Sequence, residues 1–243
     1  MKTFSLTDTG TLREMNQDFY FASEQPLGNL PNLFLVADGM GGHKAGDYAS
    51  RFTVERMVAS VSGNTQEEPV RILEQAVAKA NEILLAEAME DFDKNGMGTT
   101  LVGASIFNDR LIAFNIGDSR LYIVGQDIRQ VTRDHSLVEE MIRMGELTPE
   151  EARLHPRKNI ITRAVGATEE VEADFFEEKL VPGDYVLLCT DGLTNMVPDK
   201  DILRIIREEA TLEDKGRMLV RAANANGGRD NITVMLIDPL SEE

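Results

Sequence analysis

The chain has 243 residues, of which 42% are hydrophobic and 28% are charged. That composition is typical of a folded globular protein and excludes an intrinsically disordered chain. Acidic residues outnumber basic ones by 42 to 25, and the net charge of −17 argues against binding to a nucleic-acid backbone.

The first third of the sequence alternates strand-like and helical segments. Short apolar runs predict strands over 3–9, 18–22 and 33–37. A glycine-rich segment over 38–46 leads into a helix that ends near residue 61. Apolar residues then return every three or four positions over 67–91, which predicts a second helix.

The remaining two thirds begin with β character and end with paired helices. Three apolar runs over 99–123, separated by turn residues, predict antiparallel neighbours. The polar segment over 136–153 is predicted to be helical, with a helix start at Pro149. The predicted order ends with a buried strand over 184–190, helices over 199–210 and 211–225, and a strand over 232–237.

This order of elements favours a layered sandwich. The helices come in pairs and several strands run from hairpin to hairpin, which a βαβ repeat does not produce. No Pro/Gly/Ser-rich linker divides the chain. We therefore predict one domain over 1–243 of the α+β class, a four-layer α-β-β-α sandwich in which helices flank two antiparallel sheets.

Cysteine content and hydropathy bear on the compartment. Cys189 is the only cysteine, so an internal disulfide is excluded and a reducing cytosol suits the chain. The first residues lack the apolar stretch of a signal peptide. No run reaches the ~18 apolar residues expected of a membrane span. We expect a soluble, cytoplasmic protein that binds neither membrane nor nucleic acid.

The strongest chemical signal is a set of aspartates at the ends of predicted strands. Asp38-Gly39 and Asp191-Gly192 each follow a buried-looking strand, and Asp118 follows a third apolar run. Asp230 precedes the last strand, and Asp18 stands at the start of an early one. One Asp-Gly pair after an apolar run is a common turn signal. On spacing alone, turns and a metal site both remain open.

Electrostatics favours the metal site. Two carboxylates ~4 Å apart repel by roughly 4 kcal/mol at an effective dielectric constant near 20, so a cluster of them needs cations. The candidate ligands are all oxygen atoms, which suits Mg²⁺ or Mn²⁺ and argues against zinc. Two such ions roughly 3.5–4 Å apart can share one water and lower its pKa from about 15.7 toward ~7.

Other chemical motifs are incomplete. The segment that begins at Asp91 resembles half of a calcium loop, but Val102 occupies the twelfth position, where a bidentate Glu is required. We interpret it as a helix end and a turn. Gly117-Asp118-Ser119 lacks the Asp-x-x-His that would supply a serine hydrolase with its base. Cys189 is followed six residues later by Asn195 where a cysteine phosphatase needs Arg, so we predict a core thiol.

Five segments occur in a fixed order along the chain: Arg13-Glu14-Met15-Asn16-Gln17-Asp18, Val36-Ala37-Asp38-Gly39-Met40-Gly41-Gly42-His43, Asn115-Ile116-Gly117-Asp118-Ser119-Arg120, Cys189-Thr190-Asp191-Gly192-Leu193 and Gly228-Arg229-Asp230-Asn231. Together they resemble the motif series of PPM-type protein phosphatases (protein phosphatase 2C) in their bacterial form. The resemblance extends over essentially the whole chain. It implies a metal-dependent protein serine/threonine phosphatase that hydrolyses phosphoserine and phosphothreonine by attack of a metal-activated bridging water.

The resemblance also implies a ligand set for two Mn²⁺ or Mg²⁺ ions and a third, weaker site. Asp38 would bridge two metals, and the Gly39 carbonyl would bind the second. Asp191 and Asp230 would hold the first metal. Asp118, with Asp191, would form the third site.

Three further roles follow from the same resemblance. Asp18 would bind a metal or its waters from the adjacent strand. Arg13 would bind the substrate phosphate, which suits a guanidinium fork better than an ammonium. Residues 137–165 would form a flap beside the active site, where substrate choice is thought to lie. The family fold, two antiparallel sheets flanked by helical layers, agrees with the layered sandwich above.

Two positions depart from the family pattern. Gln17 stands where many eukaryotic members have Glu, and Met40 stands where animal members carry a histidine proposed as the general acid. His43 lies in the same loop and is the alternative candidate for protonating the leaving oxygen. His135 and His155 are expected to make structural hydrogen bonds at most.

The expected partners are phosphorylated proteins together with a cognate Ser/Thr kinase, and the expected state is a monomer. Two alternatives stay open: an inactive PPM-like binding module, and a dedicated regulator of anti-sigma-type switches. Inactive members commonly lose metal aspartates, whereas Asp38, Asp191 and Asp230 all remain here.

Overall fold

The computed structural model describes residues 1–42, 45–65 and 68–241. In that part of the chain the strands are β1 (Lys2–Asp8), β2 (Asp18–Ser23), β3 (Leu33–Met40), β4 (Gly98–Thr99), β5 (Leu101–Phe107), β6 (Arg110–Ile116), β7 (Arg120–Val124), β8 (Ile128–Gln130), β9 (Asp174–Lys179), β10 (Tyr185–Cys189) and β11 (Ile232–Asp238). The helices are α1 (Ala45–Gly63), α2 (Pro69–Glu90), α3 (Leu137–Arg143), α4 (Pro149–Leu154), α5 (Asp191–Thr194), α6 (Asp199–Ile206) and α7 (Leu212–Ala225).

The strands form two antiparallel sheets. The first has the order β1-β11-β10-β7-β8, and the second has the order β2-β3-β5-β6-β9 with β4 paired to β3. The strands alternate their side chains between the two faces of each sheet. Phe34 and Val36 of β3 therefore pack in the core between the sheets, and Leu33 and Leu35 pack against helices.

Three apolar layers hold the molecule together. One lies between the two sheets, one joins the second sheet to α1 and α2, and one joins the first sheet to α6 and α7. This arrangement confirms the predicted α+β fold, a four-layer α-β-β-α sandwich. None of the helices in the described ranges has the length and apolarity to cross a membrane.

The sequence prediction missed two strands. β8 has only three residues, and β9 (Asp-Phe-Phe-Glu-Glu-Lys) is too charged to show a clear apolar period. β9 exists because it pairs along its length with β6, Arg110 opposite Lys179 through Asn115 opposite Asp174. That pairing brings together segments about 60 residues apart, which local patterns do not reveal.

The segment predicted to be helical over 136–153 forms two short helices, α3 and α4. Gly145 has a φ of +76°, a conformation that interrupts a right-handed helix. Thr148 then starts α4 with a capping box, in which its hydroxyl accepts from the Glu151 amide and the Glu151 carboxylate accepts from the Thr148 amide. The helical character of the segment and the helix start at Pro149 are both confirmed.

We expect Asn32→Ala to destabilise the second sheet without changing the fold. The buried Asn32 side chain donates to the Ile106 carbonyl at 2.8 Å and accepts from the Ile106 amide at 2.7 Å. Its loss leaves both backbone groups unpaired away from water, at a cost of about 2–4 kcal/mol in the free energy of unfolding. Urea denaturation measures this, with exposed Gln25→Ala as the control, for which a change below about 0.5 kcal/mol is expected. A loss no larger than the control's would contradict the assigned role of Asn32.

Candidate metal centre

The topology brings the five candidate aspartates to one end of the sandwich. β3 ends here and contains Asp38 close to its last residue, and β6 ends here two residues before Asp118. β2 starts here with Asp18. In the other sheet β10 finishes here before Asp191, and β11 starts here after Asp230. Antiparallel pairing places the end of one strand beside the start of its neighbour, so residues far apart in sequence meet at this edge.

The core between the sheets changes from apolar to polar at the same end. Along β3 the inter-sheet position after Val36 is Asp38, and Asp18 lies directly opposite it in the register. On the facing sheet Thr190 follows Leu188 and Thr233 precedes Met235 at the same alternate spacing. Carboxylates and hydroxyls therefore replace aliphatic side chains where the sandwich opens.

Asp18 is held from the opposite sheet. Its Oδ2 accepts hydrogen bonds from Thr190 Oγ1 at 2.9 Å and from Thr233 Oγ1 at 2.7 Å. Its Oδ1 is buried and has no hydrogen-bond partner in the described structure. A buried carboxylate oxygen without a donor is costly, and a cation is the partner that would satisfy it.

Asp191, like Asp18, has only one of its two carboxylate oxygens hydrogen-bonded among the described residues. Asn195 Nδ2 donates to its Oδ2 at 2.8 Å, and its Oδ1 is buried without a partner among the described residues. Asp38 is fixed instead through its backbone: Thr100 Oγ1 accepts from the Asp38 amide, and Thr99 Oγ1 donates to its carbonyl. The side chain of Asp38 is left to face the cleft.

The two Asp-Gly pairs are not turns. Neither Gly39 nor Gly192 has a positive φ, and β3 continues through Gly39 to Met40. A Cβ on Gly39 would collide with the Gly46 carbonyl, and one on Gly192 would collide with the Asn231 carbonyl. Glycine is required because two backbones approach closely, and the second approach places Asp191 beside the segment that carries Asp230.

Arg13 stands at the mouth of this region. Its Nη2 donates to Asp230 Oδ2 at 2.8 Å, and half of its side chain remains exposed. Asp230 Oδ1 accepts from the Asn231 amide at 2.9 Å. Arg13 is thus positioned over the aspartates, with most of its guanidinium donors still free to bind an incoming anion.

These residues enclose a cleft of about 250 Å³. Its lining combines carboxylates, one arginine and glycine-rich backbone: Arg13, Gln17, Asp38, Gly39, Met40, Gly41, Thr100, Asp118, Asn159, Ile161, Asp191, Asp230 and Asn231. The structure therefore brings four of the five predicted aspartates, with Gly39 and Arg13, to one cavity. Asp18 lies behind them, at 5% exposure, opposite Asp38.

Burial and mutual repulsion raise the pKa values of four of these carboxyl groups. Burial, with smaller contributions from Asp191 and Asp230, raises the pKa of Asp18 to about 7. Burial and the charge of Asp230 raise the pKa of Asp191 to about 6. The pKa values of Asp38 and Asp118 are also raised well above their usual range, first by burial and then by the neighbouring aspartates. The site is therefore unfavourable as a set of bare anions.

The donor set fits hard divalent cations. All the candidate ligands are oxygens, and two of them are buried without a donor. Within the described ranges, no three Asp, Glu, His or Cys side chains stand close enough to hold one ion by themselves. Mg²⁺ usually keeps several waters and takes only one or two protein carboxylates, so this separation suits such an ion.

His135 makes structural hydrogen bonds beside the centre, as the sequence analysis predicted. Its Nδ1 accepts from the Gly117 amide at 3.1 Å, and its own amide donates to the Gly117 carbonyl. Its Nε2 lies 3.3 Å from Asp174 of β9. Burial lowers the pKa of His135, which keeps the imidazole neutral and able to accept. His135 thereby holds the turn that carries Asp118 through Gly117.

The other sequence predictions have mixed outcomes. His43 lies outside the described residues. Cys189 is fully buried in β10, as predicted for a core thiol. The segment at Asp91 is a helix end followed by a short 3₁₀ turn, Phe92–Lys94, which confirms the rejection of a calcium loop. His155 Nδ1 accepts only from the Arg157 amide at 3.2 Å, a local structural bond.

Comparisons with known proteins agree with this geometry. The sequence model of the family described as "Protein phosphatase 2C" matches residues 12–236. A "Serine/threonine phosphatase stp" of Listeria innocua is 41% identical over 241 residues, covering 96% of this chain and 93% of that protein. "Protein phosphatase PhpP" of Streptococcus pneumoniae is 42% identical over 248 residues, covering 100% of this chain and 99% of that protein.

Solved structures share the whole architecture. The serine/threonine phosphatase Stp1 from Staphylococcus aureus superposes with a TM-score of 0.91 at 37% identity, covering 97% of this chain and 93% of that chain. The serine/threonine phosphatase PstP/Ppp of Mycobacterium tuberculosis gives a TM-score of 0.88 at 32% identity, covering 97% of each. The chain belongs to the protein phosphatase 2C family, whose members are metal-dependent.

We expect the metal-free protein to lose stability as the pH rises through about 6 to 7. Because the pKa values of Asp18 and Asp191 are raised in the folded state, to about 7 and about 6, the folded protein binds protons that the unfolded chain releases near ~4. Stability from this protonation is complete below the unfolded pKa and is lost as the pH passes the folded pKa. Thermal unfolding in EDTA should show Tm falling between about pH 5 and pH 8.

Two controls accompany that measurement. Asp191→Asn should raise Tm at about pH 8 and flatten the pH dependence, because one of the repelling charges is gone. Excess Mn²⁺ should raise Tm most at the higher pH by binding the folded state alone. A wild-type Tm in EDTA that climbs from pH 5 to pH 8 would contradict the pKa directions above.

Proposed function

We propose that this chain is a metal-dependent protein serine/threonine phosphatase with its active site in the aspartate-lined cleft. The observation that carries the proposal is the convergence of Asp38, Asp118, Asp191 and Asp230 on one cavity beneath Arg13. The relatives named above as serine/threonine phosphatases match nearly the whole chain, which supports the same reaction class here.

The proposed cofactors are two Mn²⁺ or Mg²⁺ ions, with a third, weaker site. Asp38 and the Gly39 carbonyl would hold one ion. Asp38 with Asp191 and Asp230 would hold the other partly through water molecules, because no three carboxylates in the described ranges stand close enough to bind one ion directly. Asp118 and Asp191 would hold the third. When bound, such cations lower the pKa of a water and neutralise phosphate oxygens. The unpaired buried oxygens of Asp18 and Asp191 support this assignment.

The side chains of this site have separate tasks. Arg13 would bind the phosphate of the substrate through a guanidinium fork, which matches phosphate oxygens in geometry and charge. Asp18 would bind a metal or its waters through its unpaired Oδ1, while its Oδ2 is held by the two threonines of the opposite sheet. The rate would come mainly from positioning and charge neutralisation, which dominate phosphoryl transfer.

The wider proposal concerns the setting of the reaction. We propose a single domain over 1–243 that works as a monomer in the cytoplasm and opposes a Ser/Thr kinase, with residues 137–165 as a flap beside the cleft. The lone buried Cys189 suits a reducing compartment. The segment 137–165 contributes Asn159 and Ile161 to the lining of the cleft, which supports its role beside the substrate.

Chelation tests the metal requirement. Purified protein should hydrolyse p-nitrophenyl phosphate with added Mn²⁺, lose that activity in excess EDTA, and regain it when Mn²⁺ exceeds the chelator. Asp191→Asn should lower kcat by roughly 100-fold or more, because a ligand charge is lost in the site. Asp201→Asn on α6 removes an aspartate that lies outside the cleft, and it should leave kcat unchanged.

Two results would count against the metal mechanism. One is equal hydrolysis with and without chelator. The other is full activity of Asp191→Asn. Absence of hydrolysis in every metal condition would favour the inactive binding module instead.

Arg13 is tested separately. Arg13→Ala should lower kcat/KM for p-nitrophenyl phosphate by roughly 10- to 100-fold, since a charged hydrogen-bonding partner of the phosphate is lost. Arg13→Lys should recover only part of the loss, because an ammonium lacks the planar fork. Arg71→Ala, an exposed arginine of α2 outside both the cleft and its surroundings, is the matched control. An Arg13→Ala enzyme with wild-type kcat/KM would remove Arg13 from the site.

A further inference from the structure

A second cavity, here termed the side cavity, adjoins the metal cleft. It has a volume of about 800 Å³, within the usual range for ligand pockets. Asp118 and Asp191 line both spaces, so the two cavities lie side by side. On its outer side the cavity is bounded by α3 and α4, and on its inner side by the segment that follows α5.

Three cations stand on one wall of the side cavity: Arg153, Lys158 and Arg229. Arg153 Nη2 donates to the Thr194 carbonyl at 3.3 Å, and Lys158 Nζ donates to Asn195 Oδ1 at 2.9 Å. Both anchors belong to the same short stretch after Asp191. Arg153 and Lys158 therefore converge on the side of the cavity nearest the metal cleft.

None of these three cations forms an ion pair with a described residue, although the chain has a net charge of −17. The contrast is Arg120 of the same cavity, which binds Asp134 through several hydrogen bonds of 2.7–3.0 Å. Glu139 also lines the cavity, close to Arg120 and Asp134. Asp118, Asp191 and Asp199 line the cavity as well, and the first two are candidate metal ligands. Arg153, Lys158 and Arg229 are thus the lining cations that form no ion pair with a described residue.

The cations also repel one another. Burial lowers the pKa of Lys158, the charge of Asp191 opposes this, and Arg153, Arg229 and Arg120 each lower the pKa by a smaller amount. Like charges held together in a partly buried place are unfavourable unless an anion joins them. The arrangement therefore favours an anionic ligand at this wall.

The rest of the lining indicates a polypeptide segment as the occupant. Val138, Ile142, Ala152 and Leu154 of the flap segment face the cavity together with Met196. Leu154 is 87% exposed in the free protein. A free inorganic anion has no apolar groups that could bury this surface, whereas a peptide can pack apolar side chains against it.

We propose that the side cavity binds the residues next to the phosphorylated serine or threonine of the substrate, and that Arg153, Lys158 and Arg229 select an anionic side chain there. The inference rests on the proposed phosphatase function and names the substrate class of that site. The shared chemistry is a carboxylate or a second phosphate close to the reacting one. Successive residues of an extended chain advance by about 3.3 Å, so the selected side chain lies within a few residues of the phosphorylated one.

Matched phosphopeptides test this proposal. Each carries one phosphothreonine in the same sequence, flanked on both sides by Glu in one peptide, by Gln in the second and by phosphoserine in the third. Wild-type kcat/KM with Mn²⁺ should be roughly fivefold higher for the Glu peptide than for the Gln peptide, the gain expected from two partly exposed ion pairs. The phosphoserine arm distinguishes a second phosphate from a carboxylate as the preferred group.

The variants are judged by the ratio of the two kcat/KM values within each enzyme, which cancels general losses of activity. The ratio should fall to about one in Arg153→Gln/Lys158→Gln and should persist in Lys158→Arg, which keeps the charge. It should also persist in Arg71→Gln, an exposed arginine of α2 that lines neither cavity.

Failure of the side-cavity proposal and failure of the phosphatase proposal give different results. A wild-type ratio of one, or a ratio that survives in the double glutamine variant, overturns the side-cavity proposal. Hydrolysis of p-nitrophenyl phosphate by the same preparation reports the phosphatase function independently. If neither p-nitrophenyl phosphate nor the phosphopeptides are hydrolysed, the phosphatase proposal fails. The side-cavity proposal is then tested by the ratio of the Kd values of the Gln and Glu peptides, measured by fluorescence anisotropy. That ratio should be about five in the wild type and about one in the double glutamine variant.

Discussion

The repulsion among buried carboxylates is the constraint on which the rest of this structure depends. Asp18 and Asp38 face each other across two paired strands, and Asp118, Asp191 and Asp230 join them from three other connections. Isolated buried anions are strongly unfavourable. A protein can keep such a cluster of carboxylates ionised at neutral pH only if cations bind to it. The surrounding fold must also prevent the repelling carboxylates from moving apart. The raised pKa values are the direct expression of that conflict.

The packing of the four-layer sandwich keeps these carboxylates from moving apart. Three apolar layers hold both sheets and their covering helices, and the inter-sheet layer runs up to the aspartates before it turns polar. Thr190 and Thr233 reach across from the first sheet to hold Asp18 of the second. The close backbone approaches at Gly39 and Gly192 fix the separation of the segments that carry the charges. The site is therefore as rigid as the two sheets that meet there.

Charge is divided unevenly between the two neighbouring cavities. The cleft concentrates carboxylates and has Arg13 at its mouth, a combination suited to cations below and a phosphate above. The side cavity gathers Arg153, Lys158 and Arg229 on the wall nearest Asp191. In a chain with a large negative net charge, three cations without an ion-pair partner among the described residues would attract an anionic segment that most of the surface repels. Chemistry and selection would thus be carried by adjacent parts of one surface.

The sequence by itself determined the class of fold, most helix and strand positions, and the aspartates that line the cleft. Hydrophobic period is a local property, and acidic residues at strand ends are visible wherever a strand is recognised. Only the tertiary structure decided which side chains meet. β9 became a strand through pairing with β6, and His135 came to hold the Gly117 turn from 18 residues away. The glycine of Asp191-Gly192 proved to serve a close approach of two backbones. Those outcomes depend on contacts between segments distant in the chain, which no local pattern encodes.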